Sequence, residues 1–229
     1  MTGSDHTGAD QNLVPTGLAS LDAHVEGGGL RPSSVLAVRT PARSVGRRFA
    51  FNLCTDRPVH YVALGHDPDR YAEHLRTVVD DAGITTASIP LADPATGLVD
   101  HLDSLDGLPD RATVLIDPLT PVVRAGASET ASVLDSLRGV LDATGGLGVV
   151  LAVGDGNGGE DAPGRWAALS NADAVFSIVH ETTQEGVSHH VAVDRLPMGQ
   201  RVREDGGSRT FEVPPHLEMT LDTSKTLSP

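Results

Sequence analysis

Three arginines lie close together in a short turn that follows an apolar, β-branched segment. Arg43, Arg47 and Arg48 surround Gly46 at the point where a helix is predicted to begin. A guanidinium group binds a phosphate or a carboxylate through two parallel hydrogen bonds, whereas a helix N-terminus attracts anions and disfavours cations. The cluster therefore predicts a nearby anion, which is a bound phosphate, a carboxylate of a partner, or an acidic side chain of this chain.

The same turn matches the phosphate-binding pattern G-x-x-x-x-G-K-[ST] only at Gly46. Pro41 stands in place of the first glycine, Arg47 in place of the lysine, and Arg48 in place of the hydroxyl residue that ligates Mg²⁺. Proline has no N–H and cannot adopt left-handed conformations, and Arg48 brings a cation to the magnesium position. The only lysine of the chain, Lys225, lies near its C-terminus, so we expect no lysine in a folded active site.

Asp117 is a second residue that could take part in phosphate chemistry, because it follows a predicted strand, residues 113–116. A carboxylate in this place could bind Mg²⁺, but Mg²⁺ takes much of its coordination shell from phosphate oxygens and from the loop hydroxyl. Since that hydroxyl is missing, Asp117 fits equally well as a strand-end residue that caps the loop at Pro118.

Predicted strands and helices alternate along the chain. This order places the arginine turn between a strand and a helix. The strand predictions are residues 35–38, 59–64, 113–116, 149–153 and 174–179. Their nearly continuous hydrophobicity is typical of a parallel sheet with both faces covered. Amphipathic helices are predicted around residues 71–82, 98–105 and 133–141, and residues 187–193 and 210–213 predict an antiparallel hairpin. The fold class is therefore α/β, with a mostly parallel sheet flanked by helices and an antiparallel C-terminal extension.

The chain of 229 residues suits a single domain between two polar tails. We expect residues 1–12 and 219–229 to be disordered and residues 13–218 to form the domain. The start of the chain has no basic and apolar leader pattern, and no apolar run approaches the length of a membrane span. These features predict a soluble, cytoplasmic protein.

The charge balance argues against partners that are held by phosphate contacts. With 17 Lys+Arg and 31 Asp+Glu the formal net charge is −14, which disfavours DNA and anionic membranes as partners. An acidic, lysine-poor and aromatic-poor composition is typical of halophilic proteins, although GC-rich coding bias produces a similar composition. The halophilic interpretation explains the charge without a basic partner.

Other motifs predict no chemistry. Residues 154–159 match G-x-G-x-x-G, but they follow a late strand, and neighbouring acidic residues would repel a pyrophosphate, so we interpret them as a loop. The single cysteine, Cys54, excludes an intramolecular disulfide and predicts a core thiol. Scattered histidines without further cysteines predict no metal site.

Several segments resemble KaiC-like domains of the RecA superfamily of ATPases. They are residues 15–22 (PTGLASLD), 27–30 (GGGL), the strand and loop that follow, residues 61–64 with Asp67-Pro68, and residues 114–117 as a Walker B strand. The resemblance covers about residues 14–215. It implies a RecA-like sheet, and it implies a family activity of ATP hydrolysis in assemblies that are often rings.

The chain departs from this family where catalysis would occur. The family has catalytic glutamates after the second strand, where this chain has Gly65-His66, and glycine cannot orient an attacking water. His66 or Asp67 could substitute only with suitable base geometry. The family carries phosphate-reaching cations on a late strand. Arg195 retains a cation at one of these positions, whereas Pro197 replaces the cation at another.

We therefore expect a catalytically inactive KaiC/RecA-like domain without a cofactor. From the resemblance we expect a regulatory or scaffolding protein in signal transduction that contacts an unidentified protein partner and is compatible with a homo-oligomer. One alternative is an ATP-binding protein or weak ATPase that uses Arg47 in place of the lysine, and another is a non-hydrolysing sensor of an anion or nucleotide. The vestigial nucleotide site would comprise Arg43, Gly46, Arg47, Arg48 and Asp117.

Overall fold

The computed structural model describes residues 13–41, 45–79, 83–154, 162–183, 186–203 and 210–212. Its strands are β1 (Ser34–Pro41), β2 (Val59–Leu64), β3 (Ile84–Ile89), β4 (Thr113–Asp117), β5 (Leu147–Gly154), β6 (Ala174–Thr183), β7 (Gly186–Arg195) and β8 (Thr210–Glu212). Its helices are α1 (Ala19–His24), α2 (Gly46–Asn52), α3 (Pro68–Arg76), α4 (Pro94–Asp103), α5 (Thr120–Ala125), α6 (Ala127–Thr144) and α7 (Arg165–Asn171). Both predicted tails lie outside the described residues.

The described strands form one sheet in the order β3-β2-β4-β5-β1-β6-β7-β8. In this order, every neighbouring pair from β3 to β6 is parallel. The pairs β6 with β7 and β7 with β8 are antiparallel. This arrangement confirms the predicted α/β class with an antiparallel C-terminal extension. Because β1 and β4 are separated only by β5, the loop after β1 and the end of β4 lie at the same edge of the sheet.

Strands β2 and β4 are buried on both faces and β1 is buried over most of its length, as their continuous hydrophobicity predicts. Along β1, Leu36 and Val38 join an apolar cluster that includes α2, whereas Val35 and Ala37 join a cluster with α4, α5, α6 and α7. Strand side chains alternate between the two faces, so one strand serves both clusters. Cys54 is fully buried in the first cluster, which confirms the core thiol, and burial raises its pKa to about 12.

The segment that carries the family resemblance at the start of the chain packs beneath the end of α2. The carboxylate of Asp22 accepts a hydrogen bond from the backbone N–H of Thr16 at 2.8 Å. The Thr55 hydroxyl donates to the carbonyl of Gly17 at 2.9 Å, and the Arg57 guanidinium donates to the carbonyl of Pro15. The Thr-Gly and Leu-Asp residues thus fix the N-terminal segment against the helix that follows the arginine turn.

Strand β3 and the ends of two helices differ from the sequence prediction. Strand β3 is absent from that prediction because, at the edge of the sheet, most of its ITTASI side chains are only partly buried. Helix α3 ends at Arg76 instead of continuing to residue 82, and the Thr77 hydroxyl donates to the carbonyl of His74, competing with the helical ladder. Helix α4 ends at Asp103, before Leu105. No helix in the described ranges is long and apolar enough to cross a membrane.

A histidine pair joins β2 to α4. His60 is 5% exposed, and its Nε2 lies 2.9 Å from Nε2 of His101, while its Nδ1 lies 2.8 Å from Oγ1 of Thr85 on β3. Burial and the neighbouring His101 lower the pKa of His60 to about 4, and burial lowers the pKa of His101. The folded protein therefore holds both imidazoles in the neutral form near neutral pH.

We predict that this pair makes the protein less stable in mild acid. An unfolded histidine binds a proton below a pKa near 6.5, whereas the folded His60 does not until about pH 4, so stability falls as the pH drops through this window. His60→Gln should reduce the loss of unfolding free energy between pH 7 and pH 4.5 by about 2 kcal/mol in urea titrations. His74→Gln, at an exposed site on α3, is the matched control. Equal pH dependence of both variants and the wild type would contradict the prediction.

Candidate functional site

The arginine turn is anchored by a close approach between the end of β1 and the start of α2. A Cβ atom at Gly46 would lie only 2.1 Å from Oγ1 of Thr40, so this position accepts no side chain without movement of the strand. The glycine therefore lets α2 begin directly against β1. Arg43 lies outside the described residues, while Arg48 is exposed on the first turn of α2.

Arg47 forms a two-pronged ion pair with Asp117. Its Nε donates to Oδ2 at 2.5 Å and its Nη2 donates to Oδ1 at 3.0 Å. Asp117, the last residue of β4, is completely buried, and the Arg47 side chain is one-third exposed. The residue in the position of the phosphate-binding lysine is therefore directed at the residue in the position of the Walker B aspartate.

A tyrosine and a histidine extend the pair. The Tyr61 hydroxyl, on β2, donates to Oδ2 of Asp117 at 3.1 Å and lies 2.9 Å from Nε2 of His66. A hydroxyl has a single proton to donate. Because Tyr61 donates this proton to the Asp117 carboxylate, its oxygen accepts a hydrogen bond from the Nε2–H of His66. His66 follows the end of β2, which places it beside the last residue of the neighbouring β4.

Tyr71 covers the flat face of the Arg47 guanidinium. The Cζ atom of Arg47 lies 4.2 Å from the centre of the Tyr71 ring, in the geometry of a cation–π contact. The ring of His66 meets the same tyrosine edge-on, with centroids 4.7 Å apart. One edge of the guanidinium thus binds a carboxylate while its face packs on an aromatic ring from α3.

The electrostatics favour a charged arginine among neutral neighbours. Burial opposes the charge of Arg47, but the hydrogen bonds and the charge of Asp117 outweigh it and raise the pKa of Arg47. Burial, reinforced by Asp117, raises the pKa of the Tyr61 hydroxyl, which stays protonated. Burial lowers the pKa of His66. The cluster therefore contains one internal ion pair and two neutral polar groups.

These residues do not fit a magnesium–nucleotide complex in this arrangement. Both oxygens of Asp117 are buried and hydrogen-bonded, and Arg48 replaces the hydroxyl that would complete the shell of Mg²⁺. Gly65 occupies the position of a family glutamate with a left-handed φ of +74°, and a Cβ there would lie 2.4 Å from Cγ of Leu91. No group of three or more metal-ligating side chains occurs in the described part of the chain.

Arg195 has a structural role at the end of α7. Its Nη2 donates to the carbonyls of Leu169 and Ala172 at the C-terminal end of α7. A cation in this place satisfies free carbonyls and complements the helix dipole. The late-strand cation that the resemblance associates with phosphate is therefore engaged by a helix terminus.

Neither tyrosine is among the site residues predicted from the sequence. No motif marks Tyr61 or Tyr71, because each acts through its position in the packed structure. The one available signal is their scarcity, since they are the only two tyrosines of the chain and both contact the ion pair. Of the proposed site residues, the structure brings Gly46, Arg47 and Asp117 together.

Comparisons with known proteins agree with this fold. A protein-family model described as a family of unknown function, DUF7125, matches residues 13–224, so the chain belongs to that family. No curated protein matches the chain. Among solved structures, a KaiC-like protein, PH0186, from the hyperthermophilic archaeon Pyrococcus horikoshii OT3 superposes with a TM-score of 0.62 at 12% identity, covering 87% of this chain and 93% of that chain. The fold of the chain is therefore similar to that of a KaiC-like protein.

We predict that Arg47 and Asp117 depend on each other for stability. Arg47→Ala leaves a buried carboxylate without its counter-charge and should lower the free energy of unfolding by about 3 kcal/mol. The double variant Arg47→Ala/Asp117→Ala should lose at least about 1 kcal/mol less than the sum of the single variants, as measured by urea unfolding.

Arg70→Ala is the matched control for this cycle, because Arg70 is an exposed arginine on α3 near the same tyrosine. It should change stability by less than about 0.5 kcal/mol. Additive losses at Arg47 and Asp117 would show that the ion pair contributes no coupling.

Proposed function

We propose that this member of the family of unknown function DUF7125 is a catalytically inactive RecA-like domain that acts as a regulatory or scaffolding protein through contacts with a protein partner. The observation that carries the proposal is the internal ion pair of Arg47 and Asp117. The two positions that would hold a nucleotide phosphate and its Mg²⁺ neutralise each other. Arg47 thus finds its anion within the chain.

Binding a nucleotide at this turn would require Arg47 to leave its present contacts. Its departure would leave the charge of Asp117 buried without a partner, which costs about 3 kcal/mol or more. It would also break the stacking on Tyr71. A phosphate would have to compensate for both losses before it gained any affinity, so the ion pair opposes nucleotide binding.

The candidates for a substitute general base already have structural partners. His66 is hydrogen-bonded to the Tyr61 hydroxyl. Asp67 accepts a hydrogen bond from the backbone N–H of Asp69 at 3.0 Å and caps α3. A base must face the attacking water, whereas His66 is held by the Tyr61 hydroxyl and Asp67, although exposed, is engaged as the cap of α3. This supports a domain without hydrolytic chemistry.

The regulatory role rests on the family resemblance, because a fold does not by itself establish a function. We propose signal transduction as the setting, with a protein partner and without nucleic acid or membrane. The acidic composition supports this choice, since a net charge of −14 repels phosphate-rich partners. We also propose that the composition reflects adaptation to concentrated salt.

The test is a calorimetric titration with ATP, with and without Mg²⁺, in molar potassium chloride, where the excess carboxylates are screened. We expect no saturable heat in either condition, because Arg47 and Asp117 are bound to each other. Circular dichroism before and after the titration verifies that the protein is folded.

Two outcomes would favour the alternatives instead. Saturable binding that requires Mg²⁺ would support a working or weakly working ATPase with Arg47 in the role of the lysine. Binding that is independent of Mg²⁺ and disappears in Arg47→Ala, but persists in Arg70→Ala, would support a sensor of nucleotides or other anions. Either result would overturn the proposal of a domain that acts through protein contacts without binding a nucleotide.

A further inference from the structure

Part of the sheet has no helix above it within the described residues. Arg39 is exposed although it lies in the middle of β1, between β5 and β6, and Val35 and Ala37 on the same face are buried. Val179, on the same face of β6, is 46% exposed. Among the described helices of this face, none covers β1 at Arg39 or β6 at Val179, so these two side chains stay exposed while Ser177 between them is buried.

An open cleft of about 460 Å³ lies between α7 and this surface. Its apolar lining comes from Trp166 and Leu169 of α7 and from Val175 of β6. Trp166 is 78% exposed, which is unusual for the largest apolar side chain and is typical of residues that become buried on binding. The volume lies within the range of ligand-binding clefts.

An irregularity in the strand pairing gives the cleft its polar side. The register of β6 with β7 shifts between Val175 and Phe176, so that Val175 pairs with Arg195 and Phe176 pairs with Val193. Asp194 is the additional residue of this bulge. In a regular strand two consecutive side chains point to opposite faces, whereas here Asp194 and Arg195 both line the cleft.

The charge of the cleft is opposite to that of the chain. Among the described residues that line the cleft, Arg39 and Arg195 face one acid, Asp194. This carboxylate already accepts a hydrogen bond from the Ser177 hydroxyl and lies 3.8 Å from Arg39. The formal charge of the lining is therefore positive in a protein of net charge −14. Such a site attracts an acidic group to a surface that otherwise repels it.

Hydrogen-bond donors in the cleft outnumber acceptors. Trp166 Nε1 and the Ser170 hydroxyl make no hydrogen bond to the described part of the chain, and the contact of Arg39 with Asp194 leaves most of its five N–H donors for other acceptors. Carboxylates are acceptors only, so their chemistry complements this lining.

We propose that this cleft is the docking site for an extended acidic segment of a partner protein, with an apolar side chain among its carboxylates. The apolar side chain packs on Trp166 and Val175, and the carboxylates bind Arg39 and Arg195. Val179, farther along the same face of β6, is a second exposed apolar side chain beyond the cleft, and an extended segment can reach it whereas a small anion in the cleft cannot. The inference rests on the proposed function, for which it identifies the contact surface.

Trp166 provides the signal for a direct test, because it is the only tryptophan of the chain. The probe is an acetylated and amidated peptide of sequence DELFDEL, and the control peptide KKLFKKL has the same apolar residues with opposite charge. We expect DELFDEL to shift the tryptophan emission to shorter wavelength and to saturate, with weaker binding at higher salt. KKLFKKL should cause no saturable shift.

Arg39→Gln and Arg70→Gln form a matched pair, since both remove one exposed arginine and give the same net charge. Arg39→Gln should weaken binding of DELFDEL about tenfold, the effect of losing one charged contact, and Arg70→Gln should leave it unchanged. Arg195 is left intact because it also caps α7. Circular dichroism of both variants verifies that they are folded.

Three results would overturn the proposal. They are a lack of saturable binding of DELFDEL to the folded wild type, equal binding by Arg39→Gln and Arg70→Gln, and saturation by sodium acetate or inorganic phosphate at the concentration of the peptide. The last result would assign the cleft to a free anion. Because Arg39 makes no contact with Asp117, a failure here leaves the ATP titration as an independent test of the inactive domain.

Discussion

A carboxylate with no solvent exposure at the end of a central strand requires a counter-charge, and in this protein Arg47 supplies it to Asp117. This requirement fixes the start of α2 over the edge of the sheet. It also recruits the two tyrosines, since Tyr61 completes the hydrogen bonding of the carboxylate and Tyr71 covers the guanidinium. The carboxyl edge of the sheet, where related folds bind phosphates, is thereby organised around an interaction within the chain.

This geometry explains why an arginine, Arg47, stands in the position of the lysine. A guanidinium binds both oxygens of one carboxylate through a rigid fork, whereas an ammonium group is a single mobile charge. The loss of the first glycine at Pro41 and of the hydroxyl at Arg48 then forms part of the same change. In the inactive domain that we propose, a turn that is held to the sheet by an ion pair needs neither the free N–H groups nor the metal ligand of a phosphate loop.

The arginines of β1 and of the turn after it serve opposite purposes although they are close in sequence. Arg47 is engaged inside the protein by a buried acid, while Arg39 emerges on the opposite face of the sheet, beside Trp166 and above a partly neutralised Asp194. One face of β1 thus supports a closed internal site and the other an open, positively charged cleft. The arrangement fits our proposal of a domain that retains its fold and contacts a protein partner through the cleft.

The sequence by itself determined the α/β class, the parallel strands and the positions of Gly46, Arg47 and Asp117, because these follow from local hydrophobicity and from spacing along the chain. It did not show β3, whose partly buried ITTASI residues lack that pattern, or the contacts of Tyr61 and Tyr71. The partner of Arg47 was one of several anions that the sequence allowed. Only the tertiary structure decided it, because Asp117 lies seventy residues away and meets Arg47 solely through the order of β4, β5 and β1 in the sheet.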